Sequence, residues 1–260
     1  MPELIEVELY AESARRTRGR RVVAVDAPDA WYLKGAVDSL GVTDAVVQAT
    51  VVDVRRVGKL LLVDLSNGVT LGLRFGMTGR LLVDGDSAID RLVYGPARQD
   101  PAWSRFGLQF EGGGYLVLQD ARRLGGVYLD PDESALGIDA TRLTAAQLRV
   151  LLAGSTAAIK ARLMDQSRVA GLGNLLTDEI LWRARLDPAR AAAGLDGGEC
   201  QRLAHEVVAT VAELAARGGS HLGDLQAGRE RGGRCPRCRS ELSRRTIAGR
   251  RTYSCPTEQT

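Results

Sequence analysis

The sequence predicts a multi-domain α+β protein: a β-rich first half, a helical region after it, and a small C-terminal ribbon. Three observations carry this expectation. Short apolar or alternating runs separated by turn residues fill residues 22–130, the pattern of a β-sandwich or barrel. Beyond the polar, breaker-rich stretch from Asp130-Pro131-Asp132-Glu133-Ser134 to Gly137-Ile138-Asp139, the apolar spacing becomes helical. Near the end, Cys235-Pro236-Arg237-Cys238 and then Cys255 have the spacing of the first three ligands of a zinc ribbon. The implied domains are residues 1–135, 139–225 and 229–260.

In chain order, residues 6–18 read as a helix, with Leu4, Val7, Leu9, Tyr10 and Ala14 forming an apolar face and Gly19 stopping it. Strands are expected at residues 22–25, 45–47, 51–54, 60–65, 69–73, 81–83, 106–110 and 115–118. Ser66-Asn67-Gly68, Asp84-Gly85-Asp86 and Glu111-Gly112-Gly113-Gly114 supply turns between them. Helices are expected at residues 144–152, with Thr144 as N-cap, and at 156–165, 174–185 and 198–217. In the ribbon, residues 242–246 and 252–253 are the expected strands.

A chain of 260 residues, 45% hydrophobic and 26% charged, has the composition of a globular protein. No apolar run approaches the ~18 residues that span a bilayer, and the start is no signal-peptide n-region, so a cytoplasmic location and no membrane partner are expected. The net charge of +3 conceals an asymmetry. Residues 141–260 hold 19 Arg and Lys against 12 Asp and Glu, and from Arg229 onward nine arginines face three glutamates. A basic C-terminal region fits a polyanionic partner, nucleic acid first, with a merely solvated tail as the alternative. Only Lys34, Lys59 and Lys160 are lysines. A lysine kept in so arginine-rich a chain suggests a use for a compact, titratable charge.

The opening Met1-Pro2-Glu3-Leu4-Ile5-Glu6-Val7-Glu8 has two readings. If Met1 is removed, Pro2 becomes a free secondary amine of pKa roughly 7.7–8.0, nucleophilic near neutral pH, with the Glu3 carboxylate beside it to move protons. On these residues alone, a solvated helix start is the plainer reading. Arg168-Val169-Ala170-Gly171-Leu172-Gly173-Asn174 lies between two helices, with Asn174 a favoured N-cap and the free amides there suited to a phosphate. An ordinary helical connection is its alternative. In the ribbon, Cys235, Cys238 and Cys255 are candidate zinc ligands. Position 258, where a fourth cysteine belongs, holds Glu258, so Glu258, a water or no metal at all stays open. Cys200, on a helix, reads as a plain thiol.

Taken together, Pro2-Glu3-Leu4 with Glu6, Lys59 before an apolar strand, Gly171-Leu172-Gly173-Asn174 and the ribbon resemble the formamidopyrimidine-DNA glycosylase family, which also contains endonuclease VIII. The match runs over essentially the whole chain. The resemblance implies an N-terminal β-sandwich with flanking helices, a helix–two-turn–helix domain and a zinc-ribbon finger, with damaged double-stranded DNA bound between the halves. It implies a monomeric, nucleoid-associated base-excision-repair enzyme, a bifunctional glycosylase and abasic-site lyase with one structural Zn²⁺ and no nucleotide cofactor. By it, Pro2 is the nucleophile, Glu3 the general acid/base, Glu6 an organiser of the active site and Lys59 a phosphate-contacting catalytic lysine. Asn174 and Arg250 correspond to phosphate-binding residues, and Lys160 to a lysine of phosphate or structural duty. Met77, Arg122 and Leu124 correspond to residues that fill the gap left by an extruded nucleotide.

The chain departs from that pattern at Ile5 and Ala121, where proline is common, at Leu124, where phenylalanine is usual, and at Glu258. The segment between residues 218 and 235 is also short for a loop that caps 8-oxoguanine. Alternatives from other classes are a non-catalytic lesion-binding protein and the same chemistry turned to bulky adducts or crosslinks.

Overall fold

The computed structural model describes residues 2–35, 38–89, 92–93, 95–96 and 98–260. These fall into two compact units, residues 1–133 and 134–260.

The first unit begins with helix α1 (Leu4–Ala14). It starts two residues earlier than the apolar pattern implied because Glu3 and Glu6 close a reciprocal capping box, with the Glu3 amide donating to Glu6 Oε2 at 2.8 Å. A 3-10 turn, Arg15–Thr17, completes it before Gly19. The chain continues through β1 (Val22–Asp26) and β2 (Leu33–Lys34) to α2 (Ser39–Val46). The apolar run at residues 45–47, expected as a strand, is therefore the end of a helix. Asp38 caps it by accepting from the Gly41 amide at 2.7 Å, and Val42 and Val46, four apart, make its buried face. Then follow β3 (Val51–Val57), β4 (Leu60–Leu65), β5 (Thr70–Arg74), β6 (Arg80–Val83), β7 (Ser104–Phe110), β8 (Tyr115–Gln119) and β9 (Gly126–Leu129).

Two sheets result, in the orders β1-β7-β8-β6 and β2-β9-β5-β4-β3. Leu61, Val63, Leu71 and Leu73 of one and Leu81, Phe106, Leu108, Leu116 and Leu118 of the other share one buried cluster with Val7 and Tyr10 of α1. The expected sandwich is thus realised, with α1 packed into its core. Strands β2 and β9 escaped the sequence reading because both are short and one has only two residues.

The second unit opens with β10 (Ile138–Asp139) and helix α3 (Ala145–Leu152), where Thr144 and Gln147 form the capping box. Helix α4 (Ile159–Met164), β11 (Val169–Ala170), α5 (Asn174–Arg183) and α6 (Gly197–Arg217) follow. The ribbon hairpin, β12 (Ser243–Ile247) and β13 (Arg250–Ser254), ends the chain. Its turn residues Ala248 and Gly249 both have positive φ, 49° and 71°, as a tight hairpin turn of the right twist requires. Among the described residues no helix is long and apolar enough to cross a membrane.

Lys160 and Asp178, both fully buried, bind this unit together through Lys160 Nζ and Asp178 Oδ1 at 2.6 Å. Lys160 also donates to Thr252 Oγ1 at 2.8 Å, and Asp178 accepts from Arg229 and from the Tyr253 amide. One buried carboxylate thereby joins α4, α5 and β13. Removing one partner of such a pair strands the other in a medium of low dielectric. Lys160→Met should therefore cost about 3–5 kcal/mol in urea unfolding; a loss under ~1 kcal/mol would mean that Lys160 is not needed to hold the unit together.

Candidate functional site

Helix α1 ties three separate pieces of sequence together. At its start, Pro2 and Glu3 are buried, Glu3 fully so. The predicted removal of Met1 concerns a residue outside those described. Glu6, also buried, is held by the capping box. One turn further, Glu8 accepts from Arg56 Nε at 2.8 Å, and the same guanidinium donates to the Gly58 carbonyl at 2.9 Å. Gly58 and Lys59 form the tight turn between β3 and β4, with Gly58 at φ 57°. The lysine's turn is thus fastened to the helix that carries Glu3. Burial alone would raise the Glu8 carboxyl, but Arg15 and Arg56 outweigh it and hold Glu8 below its usual range. At the next turn Tyr10 packs on Phe75, ring centroids 4.7 Å apart, and donates to the Gly79 carbonyl at 3.3 Å. That fixes the loop bearing Met77.

The second fastening is Asp120, fully buried at the end of β8. Its Oδ1 accepts from the Thr78 hydroxyl and, at 3.2 Å, from the Arg122 amide. Its Oδ2 accepts from the Leu124 and Gly125 amides, both at 2.8 Å, and from the Tyr32 hydroxyl at 3.2 Å. Five donors from three segments converge on one carboxylate. Burial, then the Asp120 charge, drives the Tyr32 hydroxyl far above its ordinary pKa, so it stays a donor. The loops touch closely: a Cβ on Gly76, at φ 54°, would stand 2.4 Å from the Leu124 carbonyl carbon. Arg123, at φ 54°, reaches back to clamp Asp29 with two bonds of 2.6 Å.

The result is a rim of exposed side chains on an immobile base. Leu124 is 50% exposed, Arg122 is exposed, and Met77, half-buried, receives Arg122 Nη1 at 3.7 Å from its sulfur. Met77, Arg122 and Leu124 are therefore brought together as the sequence implied. Asp120, Tyr32, Arg123 and the Glu8–Arg56 pair were not singled out. Asp120 left one local signal, an aspartate able to bond the amide two residues on; its long-range partners leave none.

In the second unit Asn174 is the first residue of α5, with Gly173 in the cap position that the sequence had given to Asn174. Its Nδ2 donates to the Arg251 carbonyl at 3.1 Å, while Oδ1 is buried without a hydrogen bond. Gln166 shapes the preceding turn, accepting from the Gly171 amide and donating to the Leu172 carbonyl. Arg250 is exposed at the start of β13. Of the two duties open to Lys160, its geometry fits the structural one and not the DNA-contacting one: its Nζ is enclosed by Asp178, Thr252 and the Arg251 carbonyl.

Cys235, Cys238 and Cys255 converge, with their sulfurs within 4.8 Å of one another and the last two 3.4 Å apart. Zn–S bonds of 2.3 Å in a tetrahedron would separate sulfurs by about 3.8 Å, so the three fit a metal ion. The Trp182 indole donates to Cys235 Sγ at 3.4 Å, and bonds from Ser240 bring the Cys238 thiol down to about 7. Glu258 does not join the converging set. Its Oε2 lies 3.8 Å from Arg185 and 3.9 Å from Arg237, buried and without a hydrogen bond.

Residues 1–127 match the family model described as the formamidopyrimidine-DNA glycosylase N-terminal domain, and residues 136–224 the one described as the formamidopyrimidine-DNA glycosylase H2TH domain. Similar curated proteins include a formamidopyrimidine-DNA glycosylase of Cereibacter sphaeroides, 32% identical over 98% of this chain and 99% of the relative. Another, from Chloroflexus aurantiacus, is 30% identical over 100% of this chain and 98% of its own length. Among solved structures, the LlFpg protein in complex with THF-DNA and an inhibitor superposes with a TM-score of 0.85 at 24% identity, over the full length of both chains. A Lactococcus lactis FPG complex with DNA containing FAPY-dG gives 0.84 over 99% of each chain.

Asp120 offers a direct test of the rim's construction. Asp120→Asn keeps the shape but presents an amide group to donors, leaving buried donors unpaired at a cost of about 1–3 kcal/mol. Amide exchange at Arg122, Leu124 and Gly125 should accelerate while β7 and β8 keep their protection; unchanged exchange at all three would remove Asp120 as the anchor.

Proposed function

The chain belongs to the formamidopyrimidine-DNA glycosylase family, and on that premise we propose how its own residues carry out the excision of damaged bases. It is a DNA glycosylase of base excision repair whose partner is damaged duplex DNA. The observation that supports the site best is the pairing, at one buried helix start, of Pro2 with a fully buried Glu3 that Glu6 holds in a capping box. The same helix fastens the turn of Lys59 and the loop of Met77.

The duplex is gripped by its phosphates at Lys59, Asn174 and Arg250, contacts that position without reading sequence. Met77, Arg122 and Leu124 occupy the space of the extruded nucleotide. With Met1 removed, the Pro2 nitrogen attacks C1′, the bond from C1′ to the base breaks, and the base leaves with a proton. The C1′ bond to the ring oxygen then breaks, and the Pro2 nitrogen lone pair closes the cationic imine, an electron sink. Glu3 protonates the sugar's ring oxygen as the ring opens and then takes the C2′ proton, so that the 3′ phosphate departs by β elimination. A second, δ elimination releases the 5′ phosphate, and hydrolysis of the imine frees Pro2.

Two finer points concern the lesion and the finger. Residues 218–234 are taken up by two short 3-10 turns, Ser220–Leu222 and Asp224–Gly228. Glu179 holds the second through the Asp224 and Leu225 amides. So compact a segment favours formamidopyrimidines, oxidised pyrimidines and abasic sites over 8-oxoguanine as substrates. In the finger, Zn²⁺ would be held by Cys235, Cys238 and Cys255 in a structural role, and Glu258, whose Oε2 faces Arg185 and Arg237 outside the sulfur cluster, would complete the set only by turning from those arginines.

Borohydride reduction on a duplex with an abasic site tests the chemistry. Wild-type protein should become covalently attached. Pro2→Gly should lose nearly all of the adduct, and Glu3→Gln should slow base release by about 10²–10⁴-fold while binding persists. If the processed wild type binds damaged duplex but forms no adduct, a non-catalytic lesion binder is the better description. Metal analysis tests the finger: Cys255→Ser should lose zinc, and Glu258→Ala should weaken its affinity roughly tenfold or more. Unchanged affinity in Glu258→Ala would give the fourth position to water.

A further inference from the structure

Trp31 is 66% exposed, while Trp182 is buried and Trp103 half-buried. A large indole left in water beside a functional rim calls for a reason. Trp31 lies in the 3-10 turn Ala30–Tyr32 just before β2. The residues around it tie that turn to the loop after β8: the Tyr32 hydroxyl donates to Asp120, and Arg123 clamps Asp29. Trp31 therefore stands on a turn bonded to the loop that carries Arg122 and Leu124.

The indole also carries a charge. Lys34 Nζ stands 4.3 Å from the centre of the ring and donates to the Trp31 carbonyl at 2.6 Å. A cation on an aromatic face, with Arg122 and Arg123 on the adjoining loop, favours an anionic partner with flat groups over an apolar protein surface. Nucleic acid has both features. Every base presents a π-face, and stacking on an aromatic side chain is worth ~1–3 kcal/mol whatever the base.

We propose that Trp31, with Lys34, is a second base-contacting platform of this rim, on which a nucleobase unstacked by extrusion of the damaged nucleotide rests while Lys34 faces the adjoining phosphate. The inference rests on the glycosylase reading, which supplies the extruded nucleotide. Met77, Arg122 and Leu124 fill the vacated space, and Trp31 receives a neighbouring base that has lost its stack. The platform also bears on Leu124: an aliphatic wedge offers no ring to stack on, and Trp31 supplies one from the turn bonded to the same loop.

The experiment titrates the full chain with a duplex containing one tetrahydrofuran residue, an uncleavable abasic analogue, and with the same duplex undamaged. Trp31→Ala should weaken binding of the damaged duplex about 5- to 100-fold and change the undamaged affinity by no more than about twofold. Trp31→Phe should restore most of the loss. Indole emission should be quenched on the damaged duplex, and most of that quench should vanish in Trp31→Phe. Lys34→Gln should weaken both duplexes alike, by an amount that shrinks as salt rises. The platform is overturned if Trp31→Ala binds the damaged duplex like wild type, if it loses equally on both duplexes, or if the quench survives in Trp31→Phe. Borohydride trapping of the wild type runs alongside. Normal trapping with any of those results removes the platform alone, whereas wild type that neither prefers the damaged duplex nor traps removes the glycosylase reading and the platform with it.

Discussion

The first unit's working edge depends on one buried carboxylate. Asp120 accepts from Thr78, Tyr32 and the amides of Arg122, Leu124 and Gly125. A charge in a protein interior is tolerable only when such donors replace the water it has lost. The requirement works in both directions. The carboxylate needs its donors, and two loops that would otherwise be free to move need the carboxylate. Ordering a loose loop at the moment of binding any partner would cost conformational entropy, and Met77, Arg122 and Leu124 stand on loops already bonded to this carboxylate and its neighbours.

Helix α1 performs the corresponding task for the chemistry. Its capping box satisfies two amides that every helix start leaves open, and in doing so it orients both carboxylates of that box. Glu8 and Tyr10 then extend the helix's hold to the turn of Lys59 and the loop of Met77. A change in the helix's seating would move Glu3, the turn of Lys59 and the loop of Met77 together. The same device that stops fraying thus fixes where these three stand relative to one another.

What the sequence made legible follows from the range of the interactions concerned. The strands of the sandwich other than β2 and β9, the capped helices α3 and α6 and the ribbon hairpin rest on periodicity and neighbouring residues, and they are legible in the sequence. The helix α2 was misread because its last turn, taken alone, has the apolar run of a strand, while its capping residue Asp38 lies seven residues upstream. Pro2, Glu3 and Lys59 draw notice by themselves but gain roles only through the resemblance, and Met77, Arg122 and Leu124 are singled out by the resemblance alone. Asp120 and the fate of Lys160 were beyond reach. A lysine's burial depends on Asp178 and Thr252, 18 and 92 residues away, and no local pattern reports that.

The second unit resolves a difficulty the ribbon poses. Three cysteines are a smaller metal set than four thiolates, yet the hairpin holds Arg250 and the Arg251 carbonyl in place. Much of that task does not fall to the metal. Asp178 accepts from the Tyr253 amide, Trp182 donates to Cys235, and Arg237 stacks 3.9 Å over the Trp182 ring while bonding its carbonyl. Trp182, Leu225 and Leu242 enclose the cysteines in a small apolar core. Helix α5 therefore serves as the finger's floor, and the same helix presents Asn174 at its start. Because the Arg251 carbonyl accepts from both Asn174 and Lys160, the starts of α4 and α5 and the hairpin are tied through one backbone atom. The hairpin's position is consequently a property of the helical domain's core, which explains how position 258 can depart from cysteine while Arg250 and Asn174 keep their places.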